Sequence, residues 1–170
     1  VILAIKYCYI VLMSILSSRL EQCAGEHILD ISHILVNDAE SAKRVAKSIA
    51  ENSFIDVDLS ACGLTSRTLR MLSGSLRKNH QLQYLFLNNN NLDPTSIKTI
   101  INILQENNNI ESINLRGNQL FPTEGAATEA EDDEELTEIE ELVETCCDLQ
   151  NLKSICGCGE FNQEIVVSAA

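Results

Sequence analysis

The sequence has no tryptophan, and aromatic residues make up only 4% of its 170 positions. We therefore predict an aliphatic core, built from leucine and isoleucine. The sequence also contains no phosphate-binding loop, zinc-protease motif or nucleophile elbow. Its three histidines, His27, His33 and His80, form no nucleophile pair with a nearby cysteine or serine. These absences argue against an enzyme, and we predict that the chain needs no cofactor.

The chain also lacks the concentration of basic residues that nucleic-acid binding requires. Its formal net charge is −13. Residues 26–128 carry 11 acidic and 9 basic side chains, whereas residues 129–148 carry 11 acidic side chains and no basic one. A calcium loop needs carboxylates at defined spacings and a glycine turn, and the acidic run has neither. We predict no nucleic-acid partner, and we interpret the run as a solvated, flexible loop.

The seven cysteines do not form the evenly spaced, even-numbered set of a secreted disulfide framework. We therefore predict a reducing compartment and a cytoplasmic protein. Near the C-terminus, Cys146 and Cys147 are adjacent, and adjacent residues on a helix point about 100° apart. This is a poor arrangement for joint metal ligation, and Cys156 and Cys158 are also closely spaced. We predict no metal site and free thiols.

What the sequence does contain is a 28-residue repeat. Residues 54–64 return as residues 82–92 and again as residues 110–120. The shared pattern is apolar, two variable, apolar, one variable, apolar, two variable, Asn or Cys, one variable, Leu. A fixed period of this length indicates a repeat array. A more degenerate copy begins at Glu26.

Each repeat is predicted to place a short strand before a helix, because apolar residues first alternate and then follow a helical period. The predicted buried helix faces are Ala42, Val45, Ala46 and Ile49; Leu69, Leu72 and Leu76; and Ile97, Ile100 and Leu104. Asn37, Thr65 and Asp93 are good N-cap residues at the same 28-residue spacing, and Pro94 follows the last of them. Asn79 and Asn107 recur near the helix ends, where Asn tolerates left-handed geometry.

With three motifs in phase, residues 26–122 resemble the leucine-rich repeat family. The 28-residue period with a helical second half is similar to the ribonuclease-inhibitor-like subclass. That subclass also supplies the repeats of NOD-like receptors, Ran GTPase activators and the tropomodulin end-capping domain. The resemblance implies an α/β solenoid, a horseshoe arc of about four to five strand–helix units with a parallel sheet on its concave face. A single unit is too small to bury its apolar face, so stacking must supply the core.

One column of the repeat is expected to form a hydrogen-bonded ladder between units. Asn90 and Asn118 sit where a side-chain amide can bond the backbone of its own turn and of the neighbouring unit. Cys62 takes the same place and has a weak S–H donor, as in the resembled subclass. Ile34 has no donor there, so we expect the first of these turns to be irregular or less stable.

Binding in this family usually uses the variable strand positions of the concave face. These positions form three columns: Ile28, Asp56, Tyr84 and Ser112; Asp30, Asp58, Phe86 and Asn114; and Ser32, Ser60, Asn88 and Arg116. Exposed aromatic residues are favoured interface anchors, and the aspartates favour a partner that presents Lys or Arg. The predicted partner-binding residues are Asp56, Asp58, Tyr84, Phe86, Asn88, Asn114 and Arg116. In the alternative, terminal segments cover Phe86 and the aspartates only make the sheet soluble.

Two interpretations fit residues 1–25. In one they are a truncated repeat, because a shift by two periods brings Val57 and Leu59 onto Val1 and Leu3. The same shift brings the helical leucines of residues 69–76 onto Met13, Leu16 and Leu20. In the other, residues 1–16 are a signal peptide or membrane anchor of a secreted or membrane-anchored protein. Lys6 interrupts that apolar run, and it is short for a membrane span. The first residue is not Met, which indicates a fragment or a non-standard start codon.

After residue 128 the repeat pattern is interrupted. We expect an acidic insertion followed by an amphipathic helix at residues 129–148, with apolar positions at Leu136, Ile139, Leu142 and Val143. Residues 149–170 are expected to form a terminal degenerate repeat or cap. Leu149 is expected to take the place of Ile110 there, one period later plus an insertion that the acidic run supplies.

The function predicted from these features is a non-catalytic module that binds a protein partner on its concave face. A partner with a basic surface fits best, and membrane binding is expected only if residues 1–16 are an anchor. The alternative is a regulatory part of a larger receptor or GTPase-activating protein.

Overall fold

The chain alternates strands and helices along a single sheet. The computed structural model describes residues 2–120, 141, 142, 144–146, 148, 149, 151–156 and 164–166. Its helices are α1 (Ile2–Cys23), α2 (Ala39–Glu51), α3 (Ser66–Lys78) and α4 (Ile97–Glu106), the last preceded by a 3₁₀ turn at Pro94–Ser96. Its strands are β1 (Ile28–Asp30), β2 (Asp56–Asp58), β3 (Tyr84–Phe86), β4 (Ser112–Asn114), β5 (Ser154–Cys156) and β6 (Glu164–Val166). The predicted α/β architecture of alternating strand–helix units is confirmed.

The sheet runs β1 to β6 in chain order. Strands β1 to β5 are parallel neighbours, and β6 is antiparallel to β5. From β1 to β4, each residue pairs with the residue one period later, so that Asp56 lies beside Tyr84 and Tyr84 beside Ser112. Parallel neighbours need a crossover connection, and the helices provide it. The sequence period is therefore also the register of the sheet.

The core lies between the sheet and the helices. Every strand from β1 to β5 has a buried central residue: Leu29, Val57, Leu85, Ile113 and Ile155. The predicted helix faces are buried as well, with Ala46 only half-buried. Burying one Leu or Ile side chain stabilises a fold by roughly 1.5–3 kcal/mol. Each unit shares its core with its neighbours, so the stack is stabilised as a whole.

Two of the three predicted N-caps are confirmed. Thr65 caps α3, and Asp93 caps the 3₁₀ turn, with Pro94 in the first position after it. The prediction for Asn37 is wrong, because the N-cap of α2 is Asp38. The Asp38 carboxylate accepts from the backbone N–H groups of Glu40 and Ser41 at 2.8 and 3.0 Å. The loop before α2 is longer than in the later repeats, which moves the start of the helix.

A turn with positive φ follows each of the first four strands. His33, Ala61, Asn89 and Gly117 have φ of 63°, 54°, 57° and 70°. They occupy one column of the repeat, although glycine is present only in the fourth. The expected irregularity of the first turn is therefore wrong for this backbone angle. Ile34 packs partly buried against the core, where the later units have a polar ladder residue.

Side-chain amides connect the turns into a ladder. Asn90 donates to the carbonyls of Leu59 and Leu87 at 2.9 and 2.8 Å and accepts from the N–H of Leu64 at 2.9 Å. Asn118 repeats this pattern one unit later. The Cys62 thiol donates to the carbonyl of Ile31 at 3.2 Å. It has no amide oxygen, and the N–H of Val36 bonds the backbone carbonyl of Cys62 instead.

Asn79 and Asn107 occupy equivalent positions at the ends of α3 and α4. Their φ angles are −79° and −115°, so the predicted left-handed geometry is wrong. Both are buried, and both side-chain amides donate to backbone carbonyls. Asn79 donates to the carbonyl of Phe54 at 2.9 Å, and Asn107 to that of Leu76 at 2.8 Å. Phe54 begins the repeat that Asn79 ends, so the Asn79 bond closes one unit. Leu76 belongs to the preceding unit, so the Asn107 bond links two units.

Helix α1 packs beside α2 and β1 and takes the helix position of a preceding unit. Met13, Leu16, Leu20 and Cys23 are buried along one face, as the alignment with the repeat helices implies. Leu3 belongs to α1, so its predicted strand position is wrong. Within the residues that the structure describes, no helix combines the length and apolar content needed to cross a membrane.

The last parallel strand does not lie where the spacing predicts. Ser112 pairs with Ser154, so Leu152, and not Leu149, takes the place of Ile110. The insertion is therefore longer than predicted. The difference is the three residues that separate Leu149 from Leu152. The acidic run and most of the predicted helix at 136–143 lie outside the described residues. Leu142, a described member of that helix, is helical and buried.

Candidate functional site

The variable strand positions form one surface, which we call the open face. The sheet register aligns its first column as Ile28, Asp56, Tyr84, Ser112 and Ser154, and its second as Asp30, Asp58, Phe86, Asn114 and Cys156. Ile28 and Tyr84 are 53% and 36% exposed, whereas Phe86 is half-buried. The columns predicted from the sequence are those of the structure, with β5 adding one more row.

Two carboxylates and two aromatic rings meet on neighbouring strands at the middle of the open face. Asp56 lies beside Tyr84, and Asp58 beside Phe86. Adjacent strands are about 4.8 Å apart, and alternate residues of one strand are about 7 Å apart. The four side chains therefore occupy one compact area, which we call the acid–aromatic cluster. Within the described part of the chain, the Asp56 carboxylate makes no hydrogen bond or ion pair, so it is available to a partner.

The side chains of Asp30, Asp58 and Asn114 in the second column already accept hydrogen bonds from within the protein. Asp58 accepts from the N–H of Ser60 at 2.8 Å, and Asn114 accepts in the same way from Arg116 at 3.2 Å. Asp30 makes the equivalent bond to Ser32 and an ion pair with Arg19 of α1 at 3.1 Å. The Ser32 hydroxyl, assisted by the Ser32 N–H and the Arg19 guanidinium, lowers the pKa of Asp30 despite its partial burial. Asp30 is thus partly neutralised, and the free negative charge lies on β2.

Tyr84 is held by two residues that the sequence reasoning did not identify. Its hydroxyl donates to Glu111 Oε2 at 3.2 Å, and Lys153 Nζ lies 2.7 Å from the same oxygen. The hydrogen bond from Lys153 is the main reason that the pKa of Glu111 is lowered. Glu111 directly precedes the strand position of Ser112, so its place was readable from the repeat. Lys153 was not, because the register of β5 was assigned wrongly.

The third column is less uniform. The Ser60 hydroxyl donates to Asn88 Oδ1 at 2.8 Å, and Ser60 is buried. Arg116 is exposed beyond the end of β4, on the opposite side of the cluster from Arg19. The open face therefore presents acidic groups near β2, aromatic rings on β3 and a basic group after β4. The charge on the open face therefore changes from negative near β2 to positive after β4.

Metal ligation has no support on the described part of the chain, where no group of three or more His, Cys, Asp or Glu side chains is arranged to hold an ion. Cys146 is buried and Cys156 half-buried, while Cys147 and Cys158 lie outside the described residues. Burial raises the pKa of the Cys62 thiol to about 12. Cys62 therefore keeps its proton and can donate in the ladder.

No protein-family model and no curated protein sequence matches the chain. Solved structures do share its fold. A structure of leiomodin-1 actin-binding site 2 superposes with a TM-score of 0.62 at 14% identity, covering 82% of this chain and 75% of its own. The tropomodulin C-terminal domain of Caenorhabditis elegans superposes with a TM-score of 0.63 at 12% identity, covering 88% and 83%. At these identities the likeness defines the fold class.

Proposed function

We propose that the chain is a leucine-rich-repeat array, similar to the ribonuclease-inhibitor-like subclass, that binds a protein partner through its concave face without catalysing a reaction. The concave face is the open face described above. The acid–aromatic cluster of Asp56, Asp58, Tyr84 and Phe86 is the observation that carries this proposal. It combines an unpartnered carboxylate with exposed aromatic surface at the centre of the array.

The chemistry of the cluster favours a Lys or Arg side chain of the partner. A cation placed over Asp56 would contact the carboxylate and, within about 6 Å, the face of the Tyr84 ring. Arg fits best, because its planar guanidinium forms two parallel hydrogen bonds with a carboxylate and stacks on aromatic rings. Asn88, Asn114 and Arg116 extend the surface with polar groups that suit the rim of an interface.

Actin is a specific candidate, because a structure with this fold is named as an actin-binding site of leiomodin-1. Titration of the chain with purified monomeric actin, followed by fluorescence anisotropy, tests this candidate. The Asp56→Asn/Asp58→Asn double variant should weaken such binding by about thirtyfold, since each of the two charge pairs contributes roughly 1 kcal/mol. Asn at position 58 keeps the turn hydrogen bond, as Asn114 shows, so folding is not affected.

A photocrosslinking residue at position 84 tests the face without a presumed partner. It should crosslink a protein from cell extract, and Asp56→Lys should abolish that crosslink. The matched control carries the crosslinker at Arg70, an exposed residue of α3. If the two positions crosslink the same proteins, or if Asp56→Lys changes nothing, the concave-face proposal is wrong.

We propose a cytoplasmic setting, consistent with the scattered cysteines. The regulatory alternative, a part of a larger receptor or GTPase-activating protein, stays a prediction. GTP hydrolysis by a panel of small GTPases, measured with and without the chain, tests it.

A further inference from the structure

Helix α1 has an apolar outer face that no part of the described chain covers. Tyr7, Val11 and Ile15 follow one another at four-residue spacing, and Ile10 lies beside them, so these side chains share one side of the helix. Tyr7, Val11, Ile15 and Ile10 are 71%, 38%, 49% and 55% exposed in that order. Met13, Leu16 and Leu20, on the opposite side, pack against the array. The largest contiguous apolar patch on a soluble monomer is often an interaction site.

We propose that the outer face of α1, formed by Tyr7, Ile10, Val11 and Ile15, is an interface with a second copy of this chain. With the small neighbours Cys8, Ser14 and Ser18, the face exposes roughly 500 Å². Two copies would bury about 1,000 Å² in total, which reaches the lower limit for a specific interface. The area therefore fits a weak dimer that forms at micromolar concentrations.

The geometry of the face suits pairing with itself. Residues at four-residue spacing form a ridge that packs into the groove of a second helix. With the twofold axis near Val11, Tyr7 of one copy lies against Ile15 of the other. Self-pairing of this kind uses the same patch on both copies, as in most homodimers.

The charge distribution favours a second copy over a lipid bilayer. From Lys6 to Ser18, Lys6 is the only charged residue, so two copies of α1 meet without like-charge contacts at the centre of the face. Helices that lie on membranes carry a Lys- and Arg-rich polar face. The opposite face of α1 is instead buried against the protein.

Sedimentation equilibrium of the full chain, from low to several hundred micromolar, tests the dimer. We expect a monomer–dimer equilibrium that Val11→Glu weakens at least tenfold. The matched control Ile28→Glu places the same charge on an exposed apolar residue of the open face and should leave the dissociation constant unchanged. Added KCl should strengthen the dimer, since salt screens the repulsion between two acidic copies but not an apolar contact.

Neutral substitution of Ile10 by Gln should weaken the dimer several-fold and guards against misfolding of Val11→Glu. Circular dichroism confirms that each variant is folded. A chain that stays monomeric throughout the range overturns the proposal, as does a dimer that Ile28→Glu disrupts and Val11→Glu does not. Flotation of a monomeric chain with phosphatidylcholine vesicles, lost in Val11→Glu, would also overturn it and assign the face to a bilayer.

Discussion

Lys153 and Glu111 form an ion pair at 2.7 Å although 42 residues separate them. The pair joins β5 to β4 across the insertion, and its carboxylate also accepts from the Tyr84 hydroxyl. An insertion of acidic sequence is thus spanned by a contact that orients the exposed aromatic ring of the open face. Strands β4 and β5 pair directly, although the insertion separates them in sequence.

Replacing Lys153 by Met should raise the pKa of Glu111 toward its ordinary value of about 4.3. In the folded protein this pKa is lowered, mainly by the Lys153 hydrogen bond. The network therefore stabilises the fold fully above the unfolded pKa, and this contribution is lost as the pH falls through the folded pKa. NMR titration of the Glu111 carboxyl carbon measures the shift. Lys98→Met, an exposed lysine on α4, serves as the control, and an equal shift in both variants would exclude the network.

Replacing Asn90 by Ala should destabilise the protein by about 3 kcal/mol. The change leaves the buried N–H of Leu64 and the carbonyl of Leu59 without this partner, whereas the carbonyl of Leu87 keeps its bond from Asn118. Unsatisfied buried groups cost roughly 1–3 kcal/mol each, with partial relief from water. Urea unfolding gives the free-energy difference. The adjacent, exposed Asn91→Ala is the control and should cost less than about 0.5 kcal/mol; equal losses would mean that the ladder contributes nothing.

Replacing Ala61 by Gly should stabilise the protein by roughly 0.5 kcal/mol. Ala61 has φ of 54°, a left-handed conformation that costs a residue with a Cβ about 1–2 kcal/mol. Part of this gain is offset, because glycine has more freedom to lose from the unfolded chain. Thermal unfolding should show a higher midpoint. Ala46→Gly, within α2, should have the opposite effect, and a loss of stability in both variants would contradict the strain argument.

Cys62 should resist alkylation in the folded protein at pH 8, whereas Cys8 should react. Cys62 is buried and its pKa is raised to about 12, so almost no thiolate is present. Cys8 is exposed on α1. Mass spectrometry after brief iodoacetamide treatment, with and without urea, measures both sites. Reaction of Cys62 without urea, at the rate seen for Cys8, would show that the first rung of the ladder opens readily.

The sequence was most informative where the repeat is regular. Apolar residues at fixed spacing must share a face of the strand or helix, so the core positions and the columns of the open face followed from periodicity alone. Thr65 and Asp93 were readable as caps because their side chains bond backbone groups of the same turn. Such local interactions depend little on the rest of the fold.

The wrong predictions concern positions where a repeat changes length, or side chains whose hydrogen-bond partner is distant in sequence. The N-cap of α2 is Asp38 and not Asn37, because a longer loop shifts the start of the helix without altering the apolar pattern. Asn79 and Asn107 looked like helix terminators, and only the folded structure reveals that they donate to the backbone carbonyls of Phe54 and Leu76. The register of β5 depends on which leucine, at 149 or 152, completes the core beside Ile110.

By itself, therefore, the sequence determined the period, the parallel register of the first four strands and the residues that those strands contribute to the open face. Only the tertiary structure decided which of those residues are free. Asp30 is paired with Arg19 from a helix that precedes the first strand, Asp58 bonds its own turn, and Asp56 has no partner among the described residues. Periodicity assigns a side chain to a face, but its availability depends on side chains brought close by packing, and their distances are not encoded in any local pattern.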